Sequence, residues 1–324
     1  MTMKDLRDEI VEEVSTILAA DFQIDVTGTK TVPHSGDPAI TFPNLDAKRQ
    51  GAKLIETCVL YIDIRRSTEL NITHKPKTVA KLYSAFVRAM TRCARYHKGH
   101  VRGIIGDRVM VIFDTADAYV NAVECAIAMN TVSQHVINLH FKRGEVECGI
   151  GIDAGNMLAT KTGVRRRGVD QAAYRNLVWL GRPANVASKL TDLANKPEES
   201  VPIPIVSAHF KSPLGIFAGL SGEGTWRDFY PSDFVRQLSS ELLGNRIQHS
   251  DSNFQMMFVS ERSIVTRAAT KPIMMTETVW NGFRAAKPAD NSVVNAWFSE
   301  VPIKVPGYTG KVYAGDVIYP ALKT

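Results

Sequence analysis

The sequence predicts an α+β fold, a mixed or antiparallel sheet with helices on one face, and three observations carry that prediction. A β-branched and aromatic run from Leu54 ends at Asp63, as a strand would. Val79, Leu82, Tyr83, Phe86, Val87, Met90 and Cys93 then recur at helical spacing. After them HVRGIIGDRVMVIF reads as two short strands joined by a tight turn at Gly106-Asp107.

Taken in order, MTMKDLRDEIVEEVSTILAA patterns as an amphipathic helix with too many early acids for a signal peptide, and no apolar run approaches the ~18 residues of a membrane span. A Gly, Pro and Asp rich link, DVTGTKTVPHSGDPAITFPNLD, leads to the first strand. The helix over Lys77 to Tyr96 ends at His97-Lys98-Gly99. A second helix is expected from Ala116 to Gln134, and GEVECGIGIDAG supplies a strand with a glycine-rich exit. Ala172 to Leu180 can finish in a short strand, Arg182 to Asn195 reads as a helix with Pro183 in its first turn, and Val201 to Ser207 as a strand. Residues 210–300 carry turn signals (SGEG, KPADN), apolar runs such as FQMMFVS and three of the four tryptophans, too apolar for a linker. Two strand-like runs in VPIKVPGYTGKVYAGDVIY surround a Gly-rich turn and can return to the first sheet. The expected division is 1–50 helix and link, 51–209 core, 210–300 ordered elaboration and 301–324 terminal strands.

The chain has 324 residues, 44% of them apolar, enough for a substantial core in one enlarged domain or a domain with an appendage. Lys and Arg number 39 against 33 acids, a formal charge of +6 that suits a triphosphate substrate or an ordinary soluble surface. The charge is diffuse, with no basic stripe interleaved with stacking aromatics, so direct nucleic-acid binding is not expected. Cys58, Cys93, Cys125 and Cys148 lie in apolar patterns without the close pairs of a zinc site, and read as core residues of a cytoplasmic protein.

Asp63 ends one predicted strand and Asp107 sits in the hairpin turn, so the topology permits them to meet across 44 residues of sequence. Two carboxylates at adjacent sheet ends suit Mg²⁺, which takes hard oxygen ligands and bridges them to phosphates; a helix cap and a simple Gly-Asp turn are the alternatives. Arg65 and Arg66 either offset phosphate charge or face solvent. Arg165-Arg166-Arg167 reads as a solvated loop or as one that closes over a triphosphate. Asn185 and Lys189, four residues apart, share one face of the predicted helix.

In register, YIDIRRST, VRGIIGDRVMVIF, GIGIDAG and GRPANVASKL resemble the catalytic domain of the class III nucleotidyl cyclases, the adenylate and guanylate cyclase superfamily. The resemblance covers roughly Leu54 to Ala208 and resumes at Val301. It implies a ferredoxin-like core with a late insertion, and a homodimer or pseudodimer with active sites shared between subunits. It also implies two divalent metal ions, Mg²⁺ or Mn²⁺, and a nucleoside triphosphate. Asp63 and Asp107 fall on the metal-binding aspartates, the Ile64 carbonyl on a further ligand, and Arg65, Arg66 and Ser67 on the stretch whose amides meet the terminal phosphates. Arg66 and Ser67 stand where familiar members have glycine and an aromatic. Asn185 falls on the ribose-orienting asparagine and Lys189 on the residue, arginine in most members, that stabilises the transferring phosphate. Lys304 and Lys311 lie near the place of a triphosphate-binding lysine, where Pro306 stands.

Gly103 and Val178 occupy the two purine-reading positions, and neither supplies a directional hydrogen bond. In this the chain resembles the bacterial Pycsar cyclases, which make cyclic UMP or cyclic CMP as an antiviral alarm. That implies a pyrimidine substrate, UTP first and CTP next, and a separate cyclic-nucleotide-responsive effector. Tyr61, Arg102, Tyr174, Arg175 and Trp179 are the candidates for the altered base wall, with Tyr61 and Trp179 alternatively core packing. The rival readings are an adenylate or guanylate cyclase, and a catalytically weak nucleotide-binding or dimeric interaction protein.

Overall fold

The computed structural model describes residues 2–141, 146–163, 177–212, 224–240 and 246–323. They form two compact units, one of Met1–Lys196 with Thr270–Thr324 and one of Pro197–Ala269.

The larger unit begins with α1 (Met3–Ile17), capped by Thr2 and Asp5, followed by β1 (Gln23–Thr29) and the long β2 (Arg49–Ile64). Next come α2 (Ser67–Thr73), α3 (Pro76–Tyr96), β3 (Gly99–Ile105), β4 (Arg108–Phe113) and α4 (Ala118–Thr131). A π-helical turn continues α4 over Val132–Ile137 where one α-helix to Gln134 was expected; the one-turn α5 (Asn138–His140) follows. β5 (Cys148–Lys161), β6 (Leu177–Leu180) and α6 (Arg182–Leu193) complete the first pass.

Four of these strands lie in the order β5-β2-β4-β3, all antiparallel. With the chain order β2-α3-β3-β4-α4-β5 this is a ferredoxin-like core. β2 alternates by the two-residue period of a strand. Cys58, Leu60, Ile62 and Ile64 join the α3 and α4 residues Phe86, Met90, Val123 and Ile127 in one core, while Ile55 and Val59 join Ala184 and Ala187 of α6 in another. Helices therefore cover both faces, not one. Gly149 and Gly151 explain how α6 comes so close: a Cβ on Gly151 would lie 2.2 Å from the Ala187 carbonyl oxygen.

The smaller unit holds β7 (Glu199–Phe210) between β11 (Phe254–Arg267) and β8 (Thr225–Phe229), with α7 (Pro231–Val235) and the two-stranded pair β9 (Leu238–Ser240) and β10 (Ile247–His249). Val206, Ala208, Phe210 and Phe234 are its core. The larger unit resumes with β12 (Ile273–Thr276), parallel to β5, then α8 (Glu277–Ala286), α9 (Asn291–Val294), β13 (Ser299–Val301) and β14 (Val312–Gly315) on the sheet edge. The return to the sheet thus starts near residue 270 and the separate unit near 197, where the sequence reading placed these boundaries at 301 and 210.

Candidate active site

Antiparallel pairing of β2 with β4, Ile62 opposite Val109, carries the end of β2 to the hairpin turn. Gly106 adopts φ 62°, a conformation that glycine takes without strain, and this lets the turn close tightly. Asp107 then points back to β2, and the Ile64 amide donates to its Oδ2 at 3.2 Å. Burial, followed by the charge of neighbouring Asp63, pushes the Asp107 carboxyl above the usual carboxylate range. The two aspartates that sequence singled out are therefore adjacent, and they repel.

Arg108, which the sequence analysis did not single out, is the cation between Asp63 and α6. Its Nη2 donates to Asp63 Oδ2 at 2.7 Å and also to Asp192, while Nη1 donates to Ser188 Oγ at 2.9 Å. Burial works against its charge, but the two carboxylates outweigh it and raise its pKa. Arg65 lies buried beside the same group. Its Nη1 donates to the Asp192 carbonyl at 3.2 Å and its Nη2 stands 3.8 Å from Asp63 Oδ2, while Nε and Nη2 have no hydrogen-bond partner among the described residues. Gly149 makes room for it, since a Cβ there would meet the guanidinium carbon at 2.9 Å. Arg65 thus faces inward, its amide spent on the Glu147 carbonyl at 2.7 Å. Arg66 takes a left-handed φ of 53° and pairs with Glu147 at 3.0 Å. The amides of Arg66 and Ser67 make no such bond among the described residues.

Asn185 is exposed on α6, and Lys189 donates to the Pro306 carbonyl at 2.8 Å beside the Gly307 turn. Neither bonds to Asp63 or Asp107 within the chain. The α6 residues that do reach this site, Ser188 and Asp192, stand three positions further on. Lys304 is exposed and Lys311 pairs with Glu300 at 2.7 Å.

On the α6 face of the sheet, a cleft of about 670 Å³ is lined by Tyr61, Arg102, Gly103, Met110, Trp179 and, from the link, His34. The Tyr61 hydroxyl donates to Met110 Sδ at 2.9 Å, and the Trp179 Nε1–H is buried without a partner among the described residues. Val178 is not in this wall: along β6 it alternates with Leu177 and Trp179, which are. Tyr174, Arg175 and the arginine run 165–167 lie outside the described residues. The link looked like a spacer in sequence, yet Val32, Ile40 and Phe42 are buried, and this is what fixes His34 at the cleft.

Residues 51–202 match the model of the adenylate and guanylate cyclase catalytic domain family. With their ferredoxin-like core and paired aspartates, these residues are similar to the catalytic domain of the class III nucleotidyl cyclases. Among curated proteins the chain is 31% identical over 144 residues to a uridylate cyclase of Burkholderia cepacia, covering 43% of this chain and 60% of that protein. It is 26% identical over 212 residues to a uridylate cyclase of Gulbenkiania mobilis, covering 62% and 80%. Among solved structures, the adenylyl cyclase CyaB of P. aeruginosa aligns over 81% of this chain and 94% of its own at 16% identity, with a TM-score of 0.45.

No cluster of three or more metal-ligating side chains exists among the described residues. Two carboxylates and a main-chain carbonyl are nevertheless the hard donors that a divalent ion takes, and a cation would offset both the burial and the Asp63 charge that raise Asp107. The residues fit the metal use of this class.

Proposed function

We propose that the protein cyclises a pyrimidine nucleoside triphosphate, UTP before CTP, to the 3',5'-cyclic monophosphate and pyrophosphate. The cleft carries this reading: Gly103 leaves its wall open, Val178 faces elsewhere, and no side chain of the purine-reading type stands at either position. Two relatives named uridylate cyclase support it.

Asp63, Asp107 and the Ile64 carbonyl would hold divalent ions, Mg²⁺ or Mn²⁺, which supply Lewis acidity to the α-phosphate and the ribose 3'-hydroxyl. The amides of Arg66 and Ser67 bind the terminal phosphates. The 3'-oxygen bonds to the α-phosphorus and gives its proton to solvent, while the bond to the β-phosphate oxygen breaks. Asn185 orients the ribose and Lys189 stabilises the transferring phosphate, both from the second subunit of a homodimer, since neither bonds to the aspartates of its own chain. Among the described residues no helix is long and apolar enough to cross a membrane. We place the enzyme in the cytoplasm, in antiviral signalling through a separate cyclic-nucleotide effector.

The test is a competition among equal concentrations of ATP, GTP, CTP and UTP with Mg²⁺ or Mn²⁺, reading cyclic products by mass spectrometry. Dominant cyclic UMP is expected. Dominant cyclic AMP or cyclic GMP overturns the pyrimidine reading, and no cyclic product from a verified dimer overturns the activity itself.

A further inference from the structure

A cavity of about 1070 Å³ lies on the opposite side of the sheet from the base cleft, among α3, α4 and the segment Tyr319–Leu322. Its volume is at the upper end for a small-molecule site. The site proposed above uses none of its residues.

The charges around this cavity are unbalanced. Glu124 is held by Lys287 and stands 3.6 Å from His97 Nδ1. Asp290 accepts from the Ser292 amide at 2.8 Å and from its hydroxyl at 2.6 Å. Both acids are matched. Arg88, Arg92 and Arg95 are not: none of their guanidinium groups has an ion-pair or hydrogen-bond partner among the described residues. Spaced by four and three residues, they line one side of α3 over about 10 Å of helix, a length that suits a chain of phosphates. Burial lowers the His97 pKa, so the ring adds no charge at neutral pH. Tyr96 and Tyr319 supply flat apolar surface at the same cavity, and the Tyr319 ring stacks on His97 at 6.5 Å.

We propose that this cavity binds a nucleoside phosphate, with its phosphates along Arg88, Arg92 and Arg95 and its base against the tyrosines. The site is separate from the catalytic one and gives the enzyme a means of sensing either its substrate or its product.

The experiment uses the full chain carrying Asp63→Asn, in chelator, titrated calorimetrically in separate arms with UTP, cyclic UMP and inorganic pyrophosphate. Saturable nucleotide binding is expected, weakened about tenfold by Arg88→Ala with Arg92→Ala, exposed positions whose loss leaves the melting temperature unchanged. The tighter of the two nucleotide arms identifies substrate or product as the ligand. Hydrogen exchange locates it: protection over residues 88–97 supports the site. Protection confined to 61–67 and 101–110 overturns it, as does equal affinity in the arginine variant or no nucleotide binding at millimolar concentration.

Discussion

Arg108 Nη2 sits 2.7 Å from Asp63 Oδ2 while the same guanidinium holds Ser188 and Asp192 on α6. One side chain therefore ties the end of β2, where the reaction is proposed, to the helix that carries Asn185 and Lys189. It also offers Asp63 a positive charge that a divalent ion must compete with. Arg108→Ala should lower the Mg²⁺ concentration for half-maximal activity several-fold. The loss of a partly exposed ion pair should cost about 1–2 kcal/mol of stability. Metal titration and urea denaturation check the two effects; a raised metal requirement would show that Arg108 assists binding instead of competing.

Removing either aspartate charge should act differently. Asp63→Asn or Asp107→Asn should reduce turnover about a thousandfold or more, because the oxygen donor pair is broken. In the chelated protein Asp107→Asn should leave stability unchanged or improved, since burial and Asp63 both penalise that carboxylate. Cyclic nucleotide release and thermal melting in chelator separate the two outcomes. Wild-type turnover in either folded variant would remove the aspartate from the mechanism.

Much of this arrangement was legible in the sequence, because strand alternation and a Gly-Asp turn leave few ways to place Asp63 and Asp107. Arg108 was legible only in principle: a charged residue directly after the turn aspartate must lie beside the end of β2. Ser188 and Asp192 escaped because they form an i,i+4 pair offset by three from Asn185 and Lys189, and periodicity cannot say which pair faces the sheet. Val178 failed for a similar reason, since the face shown by a four-residue strand depends on its pairing with β5. GIGID was read only as part of a strand with a glycine-rich exit, and the structure shows that its second glycine admits the Ala187 backbone.

Gly151 therefore gives a sharp stability test. A methyl group there would stand 2.2 Å from the Ala187 carbonyl oxygen and 2.4 Å from the Thr191 amide, both backbone atoms that cannot swing aside. Gly151→Ala should cost about 2–4 kcal/mol and move α6. Denaturant midpoints measure the cost, and lost activity at temperatures where the variant is folded reports the displacement.

His97 gives the pH dependence. Burial comes first among its influences and lowers its pKa below 6.5, against the opposing effect of Glu124. The unfolded chain therefore takes up a proton before the folded one does. The stability it contributes is present above about pH 6.5 and is lost as pH falls from there through the folded pKa. Melting temperature should drop between pH 7 and 5, and His97→Gln should flatten part of that drop. An identical profile in the variant would assign the loss to other groups.

Sharing of sites between subunits is testable by mixing. Asp63→Asn and Asn185→Ala chains should each be inactive alone, the first lacking the donor pair and the second the ribose contact. In a mixed dimer one of the two sites combines an intact aspartate pair with an intact asparagine. Activity should recover toward about half of one wild-type site pair, after correction for the fraction of mixed dimers. No recovery with subunit exchange verified by mass would place both sets of residues in the same chain.

The proposed preference for UTP over CTP should turn on Trp179. Its Nε1–H is a buried donor without a partner among the described residues, in a side chain that lines the cleft, and an indole can only donate. Uracil presents a carbonyl at position 4, which accepts; cytosine presents an amine there, which donates and would face the indole donor to donor. A buried donor of this kind favours the base that satisfies it by about 1–3 kcal/mol. Trp179→Phe keeps a ring in the wall and removes the N–H. It should therefore lower kcat/KM for UTP about tenfold or more while changing that for CTP little, narrowing the preference. If both substrates lose activity equally, Trp179 is packing and the base is read by another group in the cleft; an unchanged ratio in steady-state competition would show the same.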